Sequence, residues 1–144
     1  MITFKTETDR QELLEALNLN MNEEFRATLQ YIAHRILAKA ENPVLAEAFK
    51  SAALDEMSHI LFFSDLITKY YGIPHLQQWE IDRSTDISEM LKQDIVLEKA
   101  ARKRYDAQLE KYSGYAEFCS IINSVRADEE EHEIEFTRYL QQQR

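Results

Sequence analysis

Apolar side chains recur every three to four residues through most of this 144-residue chain, the period of helices with one buried face. Thr8 is a plausible N-cap, with Asp9 and Glu12 suited to the positive helix end, for a first helix marked by Leu13, Leu17, Met21, Leu29, Ile32 and Ile36. Residues 1–7 read as extended, and the helix should reach about residue 39. Asn42-Pro43 closes that segment and opens a second, whose inner stripe is Leu45, Phe49, Ala52, Phe63, Leu66 and Tyr70. Gly72 is expected as its C′ residue, with Pro74 blocking continuation. Residues 73–85 lose the period and read as a long crossover. Asp86-Ile87-Ser88-Glu89 has the form of a capping box and starts a third helix. Ser113-Gly114 ends it, and Phe118, Ile122, Val125, Phe136 and Leu140 line a fourth over 115–142. Two short connections and one long one predict an all-α four-helix bundle of two antiparallel hairpins joined by a crossover, one domain over 1–144.

Composition narrows the function. Only two Gly and two Pro interrupt the chain, which suits long helices. The net charge of −9 argues against nucleic acid, whose binding depends on Lys and Arg against phosphate. Cys119 is the only cysteine, which excludes an internal disulfide and a Cys-x-x-Cys redox module. No apolar run approaches the roughly 18 residues of a membrane helix, so a cytoplasmic protein without a membrane partner is expected.

The polar residues on the apolar stripes carry the chemistry. Glu24 lies seven residues after Leu17 and seven before Tyr31, which puts it on the buried seam of the first helix; Glu98 sits likewise between Leu91 and Tyr105. Ionised carboxylates are almost never buried unless paired or bound to metal. Asp55-Glu56-Met57-Ser58-His59 and Asp128-Glu129-Glu130-Glu131-His132 each place a Glu and a His one turn apart on a helix face. Each hairpin thus offers Glu, a Tyr seven later, then Glu-x-x-His. One such tetrad alone is more often a solvated pair; the duplication with two further seam Glu residues is not explained that way. Four carboxylates (Glu24, Glu56, Glu98, Glu129) and two imidazoles (His59, His132) suffice for two divalent ions, and this oxygen and imidazole set suits iron or manganese. Asp55 and Asp128 can each take the outer ring N–H of a His on the facing hairpin. Glu23, Glu130 and Glu131 point elsewhere by helical angle.

These residues resemble the ferritin superfamily, and bacterioferritin in particular. The likeness runs from Asn22-Glu23-Glu24 and Gln30-Tyr31-Ile32-Ala33-His34, through Leu54-Asp55-Glu56-Met57-Ser58-His59 and Gly72-Ile73-Pro74-His75-Leu76-Gln77. It continues over Asp94-Ile95-Val96-Leu97-Glu98 and Asp128-Glu129-Glu130-Glu131-His132. The resemblance implies a ferritin-like bundle with a ferroxidase-type di-iron centre on the six residues, bridged by Glu56 and Glu129. It implies a haem ligand at Met57, shared between two subunits. Three departures stand against the full pattern. The chain stops at Arg144, where bacterioferritins continue into a fifth helix, so a homodimer is expected rather than a shell. Ser51 stands where bacterioferritins carry an inner-surface His. Tyr105 resembles a rubrerythrin tyrosine, although Ala101 replaces that family's additional Glu. The expected function is oxidation of Fe(II) by O2 or H2O2, with Tyr31 and Tyr105 placed to donate hydrogen bonds or an electron. Three competitors are a rubrerythrin-like peroxide reductase with an external electron donor, a di-iron monooxygenase, and an assembly protein in which the metals are structural staples.

Overall fold

The computed structural model describes residues 4–143; the part of the extended N-terminal expectation that falls on residues 1–3 lies outside them. Four helices hold most of the described residues: α1 (Glu7–Ala38), α2 (Pro43–Lys69), α3 (Ile87–Lys111) and α4 (Ala116–Gln141). Their ends follow local chemistry, with three corrections to the sequence expectation. Thr6 rather than Thr8 caps α1, its hydroxyl accepting from the Asp9 amide at 3.0 Å. Asn42 caps α2 ahead of Pro43, and Asp86 caps α3 by accepting from the Glu89 amide at 3.0 Å. At the end of α2, Tyr71 and not Gly72 takes the left-handed conformation, at φ 63°. The amides of Tyr71 and Gly72 donate back to Thr68 and Ile67, the pairing of a Schellman turn. Gly72 meets a different constraint: a Cβ there would lie 2.5 Å from the tip of the Leu14 side chain, which would have to move aside.

The helices form an all-α bundle in which α1 packs along α2 and α3 along α4, while α1–α3 and α2–α4 are the other adjacent pairs. Residues 72–86 cross over without regular structure, held to α1 by side chains. Gln30 both donates to the Asp82 carbonyl (3.0 Å) and accepts from its amide (2.8 Å), and Asn22 accepts from the Gln77 amide (2.8 Å).

The core has two apolar halves. One gathers Leu13, Leu17, Phe63, Ile67, Phe118 and Ile122; the other gathers Leu45, Phe49, Met90, Leu91 and Phe136. The third correction concerns α1, where Ile32 and Ile36 face solvent, 44% and 62% exposed. Polar Glu24, Tyr31 and His34 occupy the inner face instead, turning the two isoleucines outward.

Candidate metal centre

Between the apolar halves lies a layer of six buried polar side chains, one or two from each helix: Glu24 (α1), Glu56 and His59 (α2), Glu98 (α3), Glu129 and His132 (α4). Helical spacing brings Glu and His of each Glu-x-x-His to one face, and the antiparallel packing brings all four helices to one level. Two overlapping sets result. Glu24, Glu56, His59 and Glu129 offer ligand-type atoms within 4.8 Å of one another, as do Glu56, Glu98, Glu129 and His132. Glu56 and Glu129 belong to both.

The imidazoles are fixed from outside the cluster. His59 Nε2 donates to Asp128 at 2.7 Å and His132 Nε2 to Asp55 at 2.8 Å, each across the α2–α4 contact. The Nδ1 atoms therefore face inward, His59 Nδ1 lying 3.2 Å from Glu129 and His132 Nδ1 3.1 Å from Glu56. The tyrosines cross the other way. Tyr31 on α1 donates to Glu98 on α3, and Tyr105 on α3 donates to Glu24 on α1. The internal two-fold thus relates contacts as well as spacings.

Electrostatics make the layer costly without a cation. Burial pushes the Glu129 carboxyl well above its ordinary range, and the Glu56 and Glu98 carboxylates add to the rise. Burial raises Glu98 too. For Glu56 burial works in the same direction, but the neighbouring His132 and His59 overcome it and hold its pKa down. Burial disfavours charge on the imidazoles, yet the carboxylates beside them raise His59 and push His132 up to about 11. Protons thus supply the positive charge that the layer demands. Even so, Glu56 Oε1, Glu98 Oε2, Glu129 Oε1 and His132 Nδ1 are buried with no aligned hydrogen-bond partner. Unpaired buried polar atoms of this kind are rare and expensive, and carboxylate oxygens and an imidazole nitrogen are the atoms that ligate first-row divalent cations such as iron. The donor set fits a pair of such ions.

Met57 lies elsewhere. It is half exposed on the outer α1–α2 face, beside Ile32, Ile36 and Leu54, while Glu56 next to it is fully buried.

Two buried polar contacts escaped the sequence reading. Asn20 and Gln108 exchange hydrogen bonds between α1 and α3, at 2.7 and 2.8 Å. On the other side of the six-residue layer, His34 Nδ1 lies 2.6 Å from Asp94 Oδ2, again joining α1 to α3. Asn20 and Asp94 each stand four residues before Glu24 or Glu98, and His34 and Gln108 ten after. The same internal repeat was the signal that could have found them.

The ferritin-like domain family model matches residues 14–144. Among solved structures, the bacterioferritin-related protein of Bacteroides fragilis, a dodecameric thioferritin, superposes with a TM-score of 0.86 at 25% identity, over 93% of this chain and 87% of that one. Ferritin-like, diiron-carboxylate proteins of Bacillus anthracis give a TM-score of 0.82 at 27% identity, over 94% and 99% of the two chains. Mycobacterium tuberculosis bacterioferritin shares the fold, with a TM-score of 0.82 at 22% identity over 91% and 85%. A bundle of four helices with this buried carboxylate and imidazole layer, matched over nearly its whole length, belongs to the ferritin-like family.

Proposed function

We propose that the chain is a ferroxidase-type oxidoreductase that takes up two Fe(II) ions and passes their electrons to O2 or H2O2. The observation that carries this reading is the pair of four-residue sets sharing Glu56 and Glu129. Glu24 and His59 would hold one ion, Glu98 and His132 the other, with Glu56 and Glu129 spanning both; manganese meets the same donors. Two ferrous ions side by side give up one electron each, so O2 takes two protons and leaves as H2O2, or H2O2 takes two protons and leaves as two waters. Asp55 and Asp128 hold the ring N–H groups of His132 and His59, keeping each Nδ1 turned inward. The hydroxyls of Tyr31 and Tyr105 hold Glu98 and Glu24 in orientation and are near enough to supply a further electron. Metal uptake must displace the protons resident on the buried layer. That the Bacillus anthracis relatives are diiron-carboxylate proteins supports the reading.

Stopped-flow mixing of Fe(II)-loaded protein with each oxidant tests it: rapid formation of ferric absorbance is expected, whereas inert bound metal would leave only a structural staple. The paired tyrosines favour one alternative, a rubrerythrin-like peroxide reductase, which would require sustained H2O2 consumption with an external electron donor. The likeness to the dodecameric Bacteroides fragilis protein supports a homo-oligomer, at least a dimer, and light scattering would measure it. Met57, on its exposed apolar face, is the residue that would ligate haem between two copies; a Soret band in freshly expressed protein is the check.

A further inference from the structure

At the level of the six-residue layer the two sides of the bundle differ in their exposed charges. On the α2–α4 side stand Asp55 and Asp128, their carboxylates 47% and 42% exposed. On the α1–α3 side a cavity of about 160 Å³ runs from exposed Val96 and Ala100 down to Glu24, Tyr31 and Glu129. Between these ends Ala27, Leu97 and Ala101 form an apolar stretch of wall, with Ala27 and Ala101 buried inside. Its volume holds about five water-sized molecules at ~30 Å³ each, too few for an organic electron carrier.

Arg26 and Arg104 line this cavity, and both are anchored. The Arg26 guanidinium lies 5.1 Å from the centre of the Trp79 ring in the crossover and 3.8 Å from Glu23. That of Arg104 lies 4.9 Å from the Tyr105 ring centre, and its Nε donates to Asn20 at 3.1 Å. Guanidinium stays charged at any working pH. Glu24 and Glu129 lie at the floor of the cavity, while at its mouth the two guanidiniums outnumber the single Glu23 carboxylate, a positive bias that is the wrong sign for an entering ferrous ion and no obstacle to a neutral molecule.

We propose that this cavity is the port through which a small uncharged oxidant, O2 or H2O2, reaches the metal centre, and that Arg26 and Arg104 bar it to cations. The proposal rests on the redox reading above. It keeps the oxidant's path clear of incoming cations.

Two plugs test it from opposite ends. Ala100→Trp covers the mouth from an exposed position with no demand on the core, and Ala101→Leu fills the cavity from within. In xenon-pressurised crystals of the metal-free protein, xenon is expected between Ala27 and Ala101, and is lost in Ala101→Leu. Co(II) association and stoichiometry, followed by absorbance in solution, should stay within about twofold of wild type in both variants, while oxidation of bound Fe(II) slows ~10-fold or more. Slowing with O2 alone, H2O2 alone or both identifies which oxidant uses the port. The double variant Arg26→Glu, Arg104→Glu should speed Co(II) association several-fold, roughly, with the gain fading as salt rises. Oxidation at the wild-type rate in both plugged variants, Co(II) association slowed as much as oxidation, or no xenon in the wild-type cavity would each overturn the port. A wild-type protein that binds Co(II) but is inert to both oxidants overturns the redox reading itself, and the port with it; an active wild type with unaffected plugs overturns the port alone.

Discussion

The two polar contacts that flank the six-residue layer between α1 and α3 stand at equivalent places in the internal repeat and are built from different chemistry. Asn20 and Gln108 satisfy each other with two neutral hydrogen bonds, and Asn20 also accepts from Arg104. His34 and Asp94 are titratable. Asp94 Oδ1 is buried without a partner, and burial raises the Asp94 carboxyl to about 6 although the His34 imidazole works to lower it. On its far side His34 meets Gln30 at 3.0 Å and the Asp82 carboxylate at 3.5 Å, where the crossover lies against α1. The internal repeat holds in residue type across the layer of six and only in position at its flanks. The layer must present balanced charges to one pair of ions, so a change in either half is felt by both. A flanking contact has only to satisfy its own hydrogen bonds, and on the crossover side it could acquire ionisable groups.

The sharpest challenge to the two-fold lies in the shared carboxylates. Glu56→Gln and Glu129→Gln should each slow Fe(II) oxidation by ~100-fold or more and reduce bound Co(II) below two ions per chain; unequal losses would show that the halves are not equivalent. The flanking contacts should separate in stability. His34→Ala leaves the Asp94 carboxyl buried without its partner and is expected to cost about 3–5 kcal/mol at neutral pH by urea denaturation. Gln108→Ala leaves only a neutral amide unpaired and should cost about 1–3 kcal/mol. Next come the outer acids, where Asp55→Asn and Asp128→Asn should each weaken Co(II) affinity ~10–100-fold, and by similar factors if the two-fold governs function. The gentlest test is pH. Folded Asp94 holds its proton more tightly than the unfolded chain, so its contribution to stability is complete below about pH 4 and is lost as pH rises through about 6. Asp94→Asn should remove this slope, on the order of 3 kcal/mol at most, and Asn20→Ala should not. Urea midpoints compared across that range measure it.

Much of the fold was legible because helices are local. The caps at Asn42 and Asp86 and the crossover follow from neighbouring residues, as does the set of six polar side chains on apolar stripes. Where one residue competed with another nearby, sequence alone chose wrongly. Thr6 caps α1 in place of Thr8, and Tyr71 takes the left-handed turn because α2 ends one residue earlier, which leaves Tyr71 and not Gly72 at the C′ position. Ile32 and Ile36 have the spacing of core residues but are turned outward, since a stripe cannot hold both them and the polar triad of Glu24, Tyr31 and His34.

By itself, then, the amino-acid order determined which side chains share a helical face, and so that two Glu, Tyr and Glu-x-x-His series would lie buried in a bundle. Only the tertiary structure decided their partners. Tyr31 meets Glu98 and not Glu24, Tyr105 meets Glu24 and not Glu98, and the α1–α3 side opens between alanines under two arginines. Those contacts join residues dozens of positions apart, and the packing of four helices, not the period of any one, sets which faces meet.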